Sequence, residues 1–228
     1  MTKPVVFDAY GTLLDVTAAA RQLAQSGAYP ELEPVWPALA ATWRDKQLAY
    51  TWLLNSMGLY RSFWDITQNA LDYAIEKHDL SSSLRLPLLD LYFALPAYPE
   101  ALDVVGAIRA AGHPTAILSN GSPDMLAAAA EAGGFTDILD ALLTVDAVKT
   151  FKPKPATYQL ACTRFNVDPD AITFVSSNGW DIAGAAQFGF KTYWVNRAGD
   201  PVDRLPSKPD QIGSDLTNLL TYLDISNA

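Results

Sequence analysis

Val5-Val6-Phe7-Asp8-Ala9-Tyr10-Gly11-Thr12-Leu13-Leu14-Asp15 sets an apolar run, a carboxylate and a glycine turn in succession near the start of the chain. Three bulky apolar residues in a row read as a short strand buried on both faces. Gly11 then marks a tight loop. An acid directly after a buried parallel strand lies at the carboxyl edge, where open α/β sheets bind ligands. The same acid also suits a plain helix N-cap. The other strand ends decide between the two readings.

The chain has 228 residues, half of them hydrophobic and 18% charged, which is ordinary for a globular protein. That length allows one sizeable core, or a core with a smaller insert. No uncharged apolar run reaches bilayer length. No basic-then-apolar leader opens the sequence. Cys162 is the single cysteine, so no internal disulfide is expected. Together these features favour a reducing cytoplasm. The formal net charge is −9, and no basic stripe suits nucleic acid. An acidic chain that binds an anion must supply positive charge locally, so each Arg or Lys near a site carries weight.

From Thr17 to Leu95 the sequence reads as helical. Ala38 to Leu54 is rich in strong helix formers, Ser62 to His78 is amphipathic, and Leu84 to Phe93 is a shorter apolar segment. Leu95-Pro96-Ala97-Tyr98-Pro99 breaks the pattern. Beyond it, helices over 100–111, 124–132, 156–165, 181–188 and 215–223 alternate with strands over 114–118, 142–145, 172–175 and 192–195. That alternation predicts an α/β fold, a doubly wound parallel sheet with a Rossmann-like core. The long helical stretch predicts a helical cap inserted after the first strand. The expected domains are residues 1–16 with 97–228 as the core, and 17–96 as the cap.

Polar groups recur just past the predicted strands. Asp8 and Thr12 follow the first, and Ser119 and Asn120 the second. Lys152 follows the third, in Thr150-Phe151-Lys152-Pro153-Lys154-Pro155, and Ser176, Ser177, Asn178 and Asp181 follow the fourth. In a parallel sheet these loops share one edge, so the repetition favours a site. His113 falls at the amino end of its strand and His78 at the end of an insert helix, and both fit solvent-facing positions. That argues against a Ser-His-Asp triad and a histidine-rich zinc centre. The chemistry is left to carboxylate, lysine, hydroxyl and amide groups.

Asp8-x-Tyr10-Gly11-Thr12-Leu13, Ser119-Asn120, Lys152-Pro153 and Ser176-Ser177-Asn178-x-Trp180-Asp181 together resemble the haloacid dehalogenase superfamily, most closely its (S)-2-haloacid dehalogenase branch. Trp43-Arg44-x-Lys46-Gln47-Leu48-x-Tyr50-x-Trp52 is similar to that branch's cap helix. The resemblance implies hydrolysis of short (S)-2-haloalkanoic acids to (R)-2-hydroxy acids through an ester on Asp8. It implies no cofactor and no metal, and commonly a homodimer. The sequence departs from the magnesium phosphatases of the superfamily. Tyr10 stands where their second aspartate acts as general acid, and Ser177 and Asn178 stand where one metal-binding acid is expected. A hard dication wants several oxygen ligands with carboxylates prominent among them, whereas a departing halide needs no proton.

The resemblance also implies roles. Asp8 is the nucleophile, in a pocket kept dry. Arg44 holds the departing halide or the substrate, and Asn120 and Trp180 complete the halide cradle. Ser119 bonds the substrate carboxylate, helped by backbone N–H groups after Asp8, that of Ala9 among them. Thr12 orients Asp8, Lys152 offsets its charge, and Tyr158 bonds to this network. Ser176, Asn178 and Asp181 position Lys152 and the hydrolytic water. Tyr10, Leu48, Phe63 and Trp180 wall the substrate's alkyl group. Plainer readings stand beside these: Arg44 as a solvated helix arginine, Leu48, Phe63, Tyr158 and Trp180 as core, Ser119 and Asp181 as helix-terminal residues. Lys154 reads as exposed. The alternatives for the whole protein are a phosphohydrolase acting on a small phosphate ester and a non-catalytic binder of small carboxylates.

Overall fold

The structure is a computed structural model and describes residues 3–225. Strand β1 (Val5–Phe7) is buried along its whole length. It lies between β2 (Thr115–Ser119) and β4 (Thr173–Ser176), parallel to both, with Phe7 opposite Ile117 on one side and Val175 on the other. β3 (Ala141–Thr144) flanks β2, and β5 (Lys191–Val195) and β6 (Gln211–Gly213) extend the sheet beyond β4. The order is β3-β2-β1-β4-β5-β6, parallel throughout. The chain winds outward from β1 to β3 and then returns to β4 on β1's other side. That reversal makes the gap between the ends of β1 and β4 the switch point, where such sheets open a crevice. Asp8 stands at its lip.

Four helices follow β1: α1 (Ala18–Gln25), α2 (Trp36–Met57), α3 (Phe63–Lys77) and α4 (Arg85–Phe93). Helix α5 (Ala101–Ala110) leads into β2. Helices α6 (Pro123–Ala132), α7 (Pro155–Phe165) and α8 (Gly179–Phe188) make the crossovers between strands, and α9 (Thr217–Tyr222) follows β6. The doubly wound α/β reading of the sequence holds. Strand β6 escaped it: three residues beginning with Gln211 carry no periodic signal, and pairing of Ile212 with Trp194 makes the strand.

Helix α2 has 22 residues, takes Pro37 in its first turn where proline costs no hydrogen bond, and ends at Gly58 in the left-handed conformation. Leu39, Trp43, Gln47 and Thr51 bury one face at helical spacing. Ser62 caps α3 by accepting from the Asp65 N–H. The segment carrying α1 to α4 leaves and rejoins the rest at a narrow seam. There the Asp15 N–H donates to Pro96 O (3.0 Å) and the Tyr98 N–H to Leu13 O (2.9 Å).

Alternation along the strands divides the interior in two. Val5, Phe7, Ile117 and Val175 face an apolar cluster that runs on into Trp43, Phe63, Leu88 and Tyr92 of the inserted helices. Val6, Leu118 and Phe174 face a second cluster with Tyr158, Ile182 and Phe190. Gly184 brings α8 close to the loop after β3: a Cβ there would lie 2.5 Å from Pro153 Cβ and 2.6 Å from Tyr158 Oη. His113 sits at the amino edge, its Nδ1 paired with Lys3 O (2.8 Å). His113 is half-buried, and His78 likewise departs from the solvent-facing expectation. His78 is half-buried and its Nε2 pairs with Thr42 Oγ1 (2.9 Å), tying the end of α3 to α2. Among the described residues, no helix is long and apolar enough to cross a membrane.

Candidate active site

The Asp8 N–H still donates to Val175 O (2.8 Å), so the strand register fixes this residue's backbone. The chain then folds back on itself. The N–H groups of Thr12, Leu13 and Leu14 all converge on Ala9 O at 2.9 to 3.2 Å. Gly11 has φ +91°, in the region where only glycine is unstrained. The reversal returns the Thr12 hydroxyl to Asp8, where it donates to Oδ2 (3.0 Å) and accepts from the Ser177 N–H (2.8 Å). Asn178 Nδ2 donates to the same carboxylate oxygen (2.9 Å).

Lys152 reaches the other oxygen. Its Nζ lies 3.1 Å from Asp8 Oδ1 and 2.9 Å from Asp181 Oδ2. Tyr158 donates to Asp181 Oδ1 (2.8 Å). The Lys152 N–H is held by Asn120 Oδ1 (3.0 Å), and Ser176 Oγ accepts from the Asn178 N–H (3.1 Å). The loops after β1, β2, β3 and β4 thus meet on one cluster of three charges. Asp8 is 6% exposed, Lys152 1% and Asp181 0%. Two carboxylates facing one ammonium leave a net negative site. Burial pulls the Lys152 ammonium down, but the charges of Asp181 and Asp8 outweigh it and its pKa is raised. Burial raises the Asp181 carboxyl, Lys152 opposes this, and the Asp8 charge adds to it. Burial and the Asp181 charge hold the Tyr158 phenol well above its ordinary value, so it remains a proton donor.

Arg44 descends from α2. Its Nη2 donates to Tyr10 O (3.2 Å) and lies 3.5 Å from Asn178 Oδ1. These contacts remove the solvated-surface reading. Tyr10 is buried, stacks on Tyr92 (5.8 Å between centroids, 8° between planes) and meets Phe63 at 6.1 Å. Burial pushes the Tyr10 phenol far up, with Tyr92 adding, so it stays neutral. Leu48 is half-buried one turn beyond Arg44. Trp180 is half-buried in the first turn of α8, edge-on to Trp52 of α2 at 5.4 Å. Its Nε1 is buried and finds no acceptor among the described residues. Ser119 lies beside Asn120 with its hydroxyl accepting from the Gly121 N–H (3.0 Å). Lys154 is exposed.

Asp8, Thr12, Arg44, Asn120, Lys152, Tyr158, Ser176, Asn178 and Asp181 therefore share one bonded network. Tyr10 and Phe63 adjoin it, while Leu48 and Trp180 are placed by α2 and α8 without a bond to it. Sequence reasoning quoted Ser177 and Gln47 within its motifs without giving either a role, and it missed Tyr92 and Asn55. Tyr92 Oη donates to Gln47 Oε1 (3.2 Å), and Gln47 Nε2 to Thr67 Oγ1 (3.0 Å), a polar brace inside the inserted helices. Two signals pointed to Gln47: its place in the cap-helix motif and its position on the apolar face of α2.

Among the described residues, no three His, Cys, Asp or Glu side chains cluster as metal ligands. Asp8 and Asp181 each give one oxygen to Lys152 Nζ, and their other oxygens accept from Thr12, Asn178 and Tyr158, with no third acid beside them among the described residues. This donor set does not fit a magnesium ion.

Residues 2–189 match the haloacid dehalogenase-like hydrolase family. (S)-2-haloacid dehalogenase 1 of Pseudomonas sp. (strain CBS-3) is 47% identical over 198 residues, covering 86% of this chain and 85% of that protein. (S)-2-haloacid dehalogenase 4A of Burkholderia cepacia is 43% identical over 199 residues, covering 86% and 84%. The structure of L-2-haloacid dehalogenase from Xanthobacter autotrophicus with chloropropionic acid covalently bound superposes with a TM-score of 0.85 at 34% identity, over 97% of this chain and 99% of that one. The chain belongs to the haloacid dehalogenase-like hydrolases and, within them, to the (S)-2-haloacid dehalogenases.

Replacing the lysine tests the charge cluster. Lys152→Met leaves two buried carboxylates without a cation, and a stability loss of about 3–5 kcal/mol is expected at neutral pH. Burial already raises the Asp181 carboxyl against the opposing Lys152 charge, so without that charge the folded state holds the Asp181 proton more tightly than the unfolded chain does. Stability must therefore recover as pH falls. Urea unfolding of the variant and the wild type at pH 7 and pH 5 measures this. A deficit that does not shrink on acidification contradicts the ion-cluster reading.

Proposed function

We propose that this protein hydrolyses short (S)-2-haloalkanoic acids, such as 2-chloropropionate, to (R)-2-hydroxy acids through a covalent ester on Asp8. The observation that carries the reading is the buried Asp8 carboxylate, aimed by Thr12 and Asn178 and balanced by Lys152. An Asp8 oxygen attacks the halogen-bearing carbon in line. The carbon–halogen bond breaks, the halide leaves with the electron pair, and that carbon inverts. Water then adds to the Asp8 carboxyl carbon, the bond from that carbon to the ester oxygen breaks, and the ester oxygen leaves on the substrate carbon as the product alkoxide. The product alkoxide takes one proton from the water, the other is released, and Asp8 is a carboxylate again. Lys152 stabilises the charge that develops there, while Asp181, Ser176 and Asn178 place the water.

Arg44 has N–H groups left over after Tyr10 O and faces the same side as Asn178. With Asn120, whose oxygen is committed to Lys152 N and whose NH₂ is left over, and the unpaired Trp180 Nε1, it makes a cradle for halide. Ser119 and the N–H groups of Ala9 and Tyr10 hold the substrate carboxylate, and Tyr10, Leu48, Phe63 and Trp180 surround its alkyl group. Residues 17–96 form a cap domain over a core of 1–16 and 97–228. We propose also a homodimer, because Leu53, Met57 and Leu59 at the end of α2 are 55%, 61% and 56% exposed. Sedimentation at twice 24.7 kDa is expected, and a monomer at tens of micromolar would contradict the dimer.

A single turnover in ¹⁸O-water, enzyme in excess over (S)-2-chloropropionate and chelator present, tests the chemistry. Halide release, label in the peptide containing Asp8 and unlabelled (R)-2-hydroxypropionate are expected. Label in the product hydroxyl would make Asp8 a general base acting on water. Halide release that stops with chelator and returns with magnesium would overturn the metal-free mechanism, and magnesium-dependent turnover of phosphate esters alone would favour a phosphohydrolase. Binding of haloacids without halide release would favour a carboxylate binder.

Arg44→Lys keeps the charge but not the planar fork. A kcat loss on the order of 10²–10³-fold is expected for one such contact to developing charge. Near-wild-type turnover would remove Arg44 from the cradle.

A further inference from the structure

Asparagine is a weak helix former, and Asn55 occupies the last turn of α2. Its side chain leaves the helix and engages the loop after β3. Asn55 Nδ2 donates to Phe151 O (2.9 Å), and Oδ1 accepts from the Phe151 N–H (3.1 Å) and the Thr150 hydroxyl (2.8 Å). A side-chain amide that pairs with both the N–H and the C=O of one residue imitates a strand partner. It fixes that residue's position and its rotation about the chain axis. Phe151 is fully buried and its backbone groups need partners. Its ring stacks on Tyr60 at 5.0 Å, and Tyr60 Oη donates to Asp146 Oδ1 (2.7 Å).

The next residue is Lys152. Its own N–H is held by Asn120 from the loop after β2. Two asparagine amides, one from α2 and one from the loop after β2, therefore hold consecutive N–H groups of this loop. The ammonium they place lies 3.1 and 2.9 Å from its two carboxylates. Shifts of about 1 Å take such contacts outside hydrogen-bonding range. Arg44 and Asn55 stand on the same helix, about 16 Å apart at 1.5 Å rise per residue. One rigid rod thus contacts the Asp8 loop, Asn178 and the lysine loop together.

We infer that Asn55 is a positioning residue that couples the seating of α2 to the placement of the Lys152 ammonium. The inference rests on the function proposed above, in which Lys152 supports attack by Asp8 and hydrolysis of its ester. A helix α2 lifted from the core withdraws Arg44 and loosens Lys152 in the same movement. The charge arrangement is complete only when the helix is down.

Three variants test this: Asn55→Ala, Asn55→Asp and Thr150→Val. Asn55→Asp keeps the acceptor for Thr150 and Phe151 N–H but loses the donor to Phe151 O. Asn55→Ala is expected to lower kcat about 10–100-fold, the scale for misplacing a catalytic group by about 1 Å, with KM changed less. Asn55→Asp falls between it and the wild type. Thr150→Val lowers kcat less, and its effect disappears in the Asn55→Ala background, because the two residues share one bond. Amide hydrogen exchange of residues 150–152 is expected to accelerate in Asn55→Ala. A variant with normal kcat and a lowered melting temperature would reduce Asn55 to a structural contact and overturn the inference. Unchanged exchange at 150–152 would overturn it as well, whatever the activity. Wild-type halide release is the control: its absence would sink the proposed function, while the exchange measurement still decides whether Asn55 holds the loop.

Discussion

Burying two carboxylates against one ammonium is the constraint that organises this protein. Each ion taken out of water costs several kcal/mol even after relaxation, and attraction offsets that only when the remaining lone pairs are met. Here they are met by Thr12, Asn178 and Tyr158, from the loops after β1 and β4 and from α7. No single segment could carry these groups together. They coincide because β1 lies between β2 and β4 in a parallel sheet, which brings their following loops to one edge. Gly11 and Gly184 are then requirements of the charge cluster as much as of the fold. One lets Thr12 turn back to Asp8, and the other lets α8 approach Pro153 and Tyr158.

The inserted helices complete what the sheet begins. A site open to water would solvate the Asp8 carboxylate and screen its charge. Trp43, Phe63 and Tyr92 extend the apolar cluster of one sheet face over the strand ends. The polar groups inside this layer are paired with one another, as in Gln47 with Thr67 and Tyr92, so the layer adds little competing polarity. Arg44 is the charge it sends toward Asp8, and it is tied to Tyr10 O before any ligand arrives.

The sheet and the strand-end acids and amides were legible because both signals are local. Val5-Val6-Phe7 followed by Asp8 needs no partner to be read, and the same grammar repeats at Ser119-Asn120 and Ser176 to Asp181. Strand β6 was not legible, since pairing with Trp194 rather than local pattern defines Ile212 as strand. Arg44 was legible through its motif; helical periodicity alone describes an ordinary surface arginine. The bonds of Asn55, Gln47 and Tyr92 were illegible for a shared reason. Each gains its partner from a segment distant in sequence: Phe151 for Asn55, Thr67 and Tyr92 for Gln47. His78 was misread likewise, because its partner Thr42 lies on another helix.

The seam where Asp15 meets Pro96 and Leu13 meets Tyr98 bears on how such a protein can diversify. Two backbone hydrogen bonds close a long excursion, and each doubling of a closed loop adds only about 0.6 kcal/mol of entropic cost. The sheet is therefore nearly indifferent to how much chain hangs beyond the seam. It is sensitive to the underside that chain presents, where Trp43, Phe63 and Tyr92 fill the cluster beside Tyr10. Insertions and deletions on the outer loops of the excursion are tolerable, and a single polar substitution beneath it is not. Lineages can thus remodel the helices beyond the seam while the strand that leads into Asp8 stays unaltered.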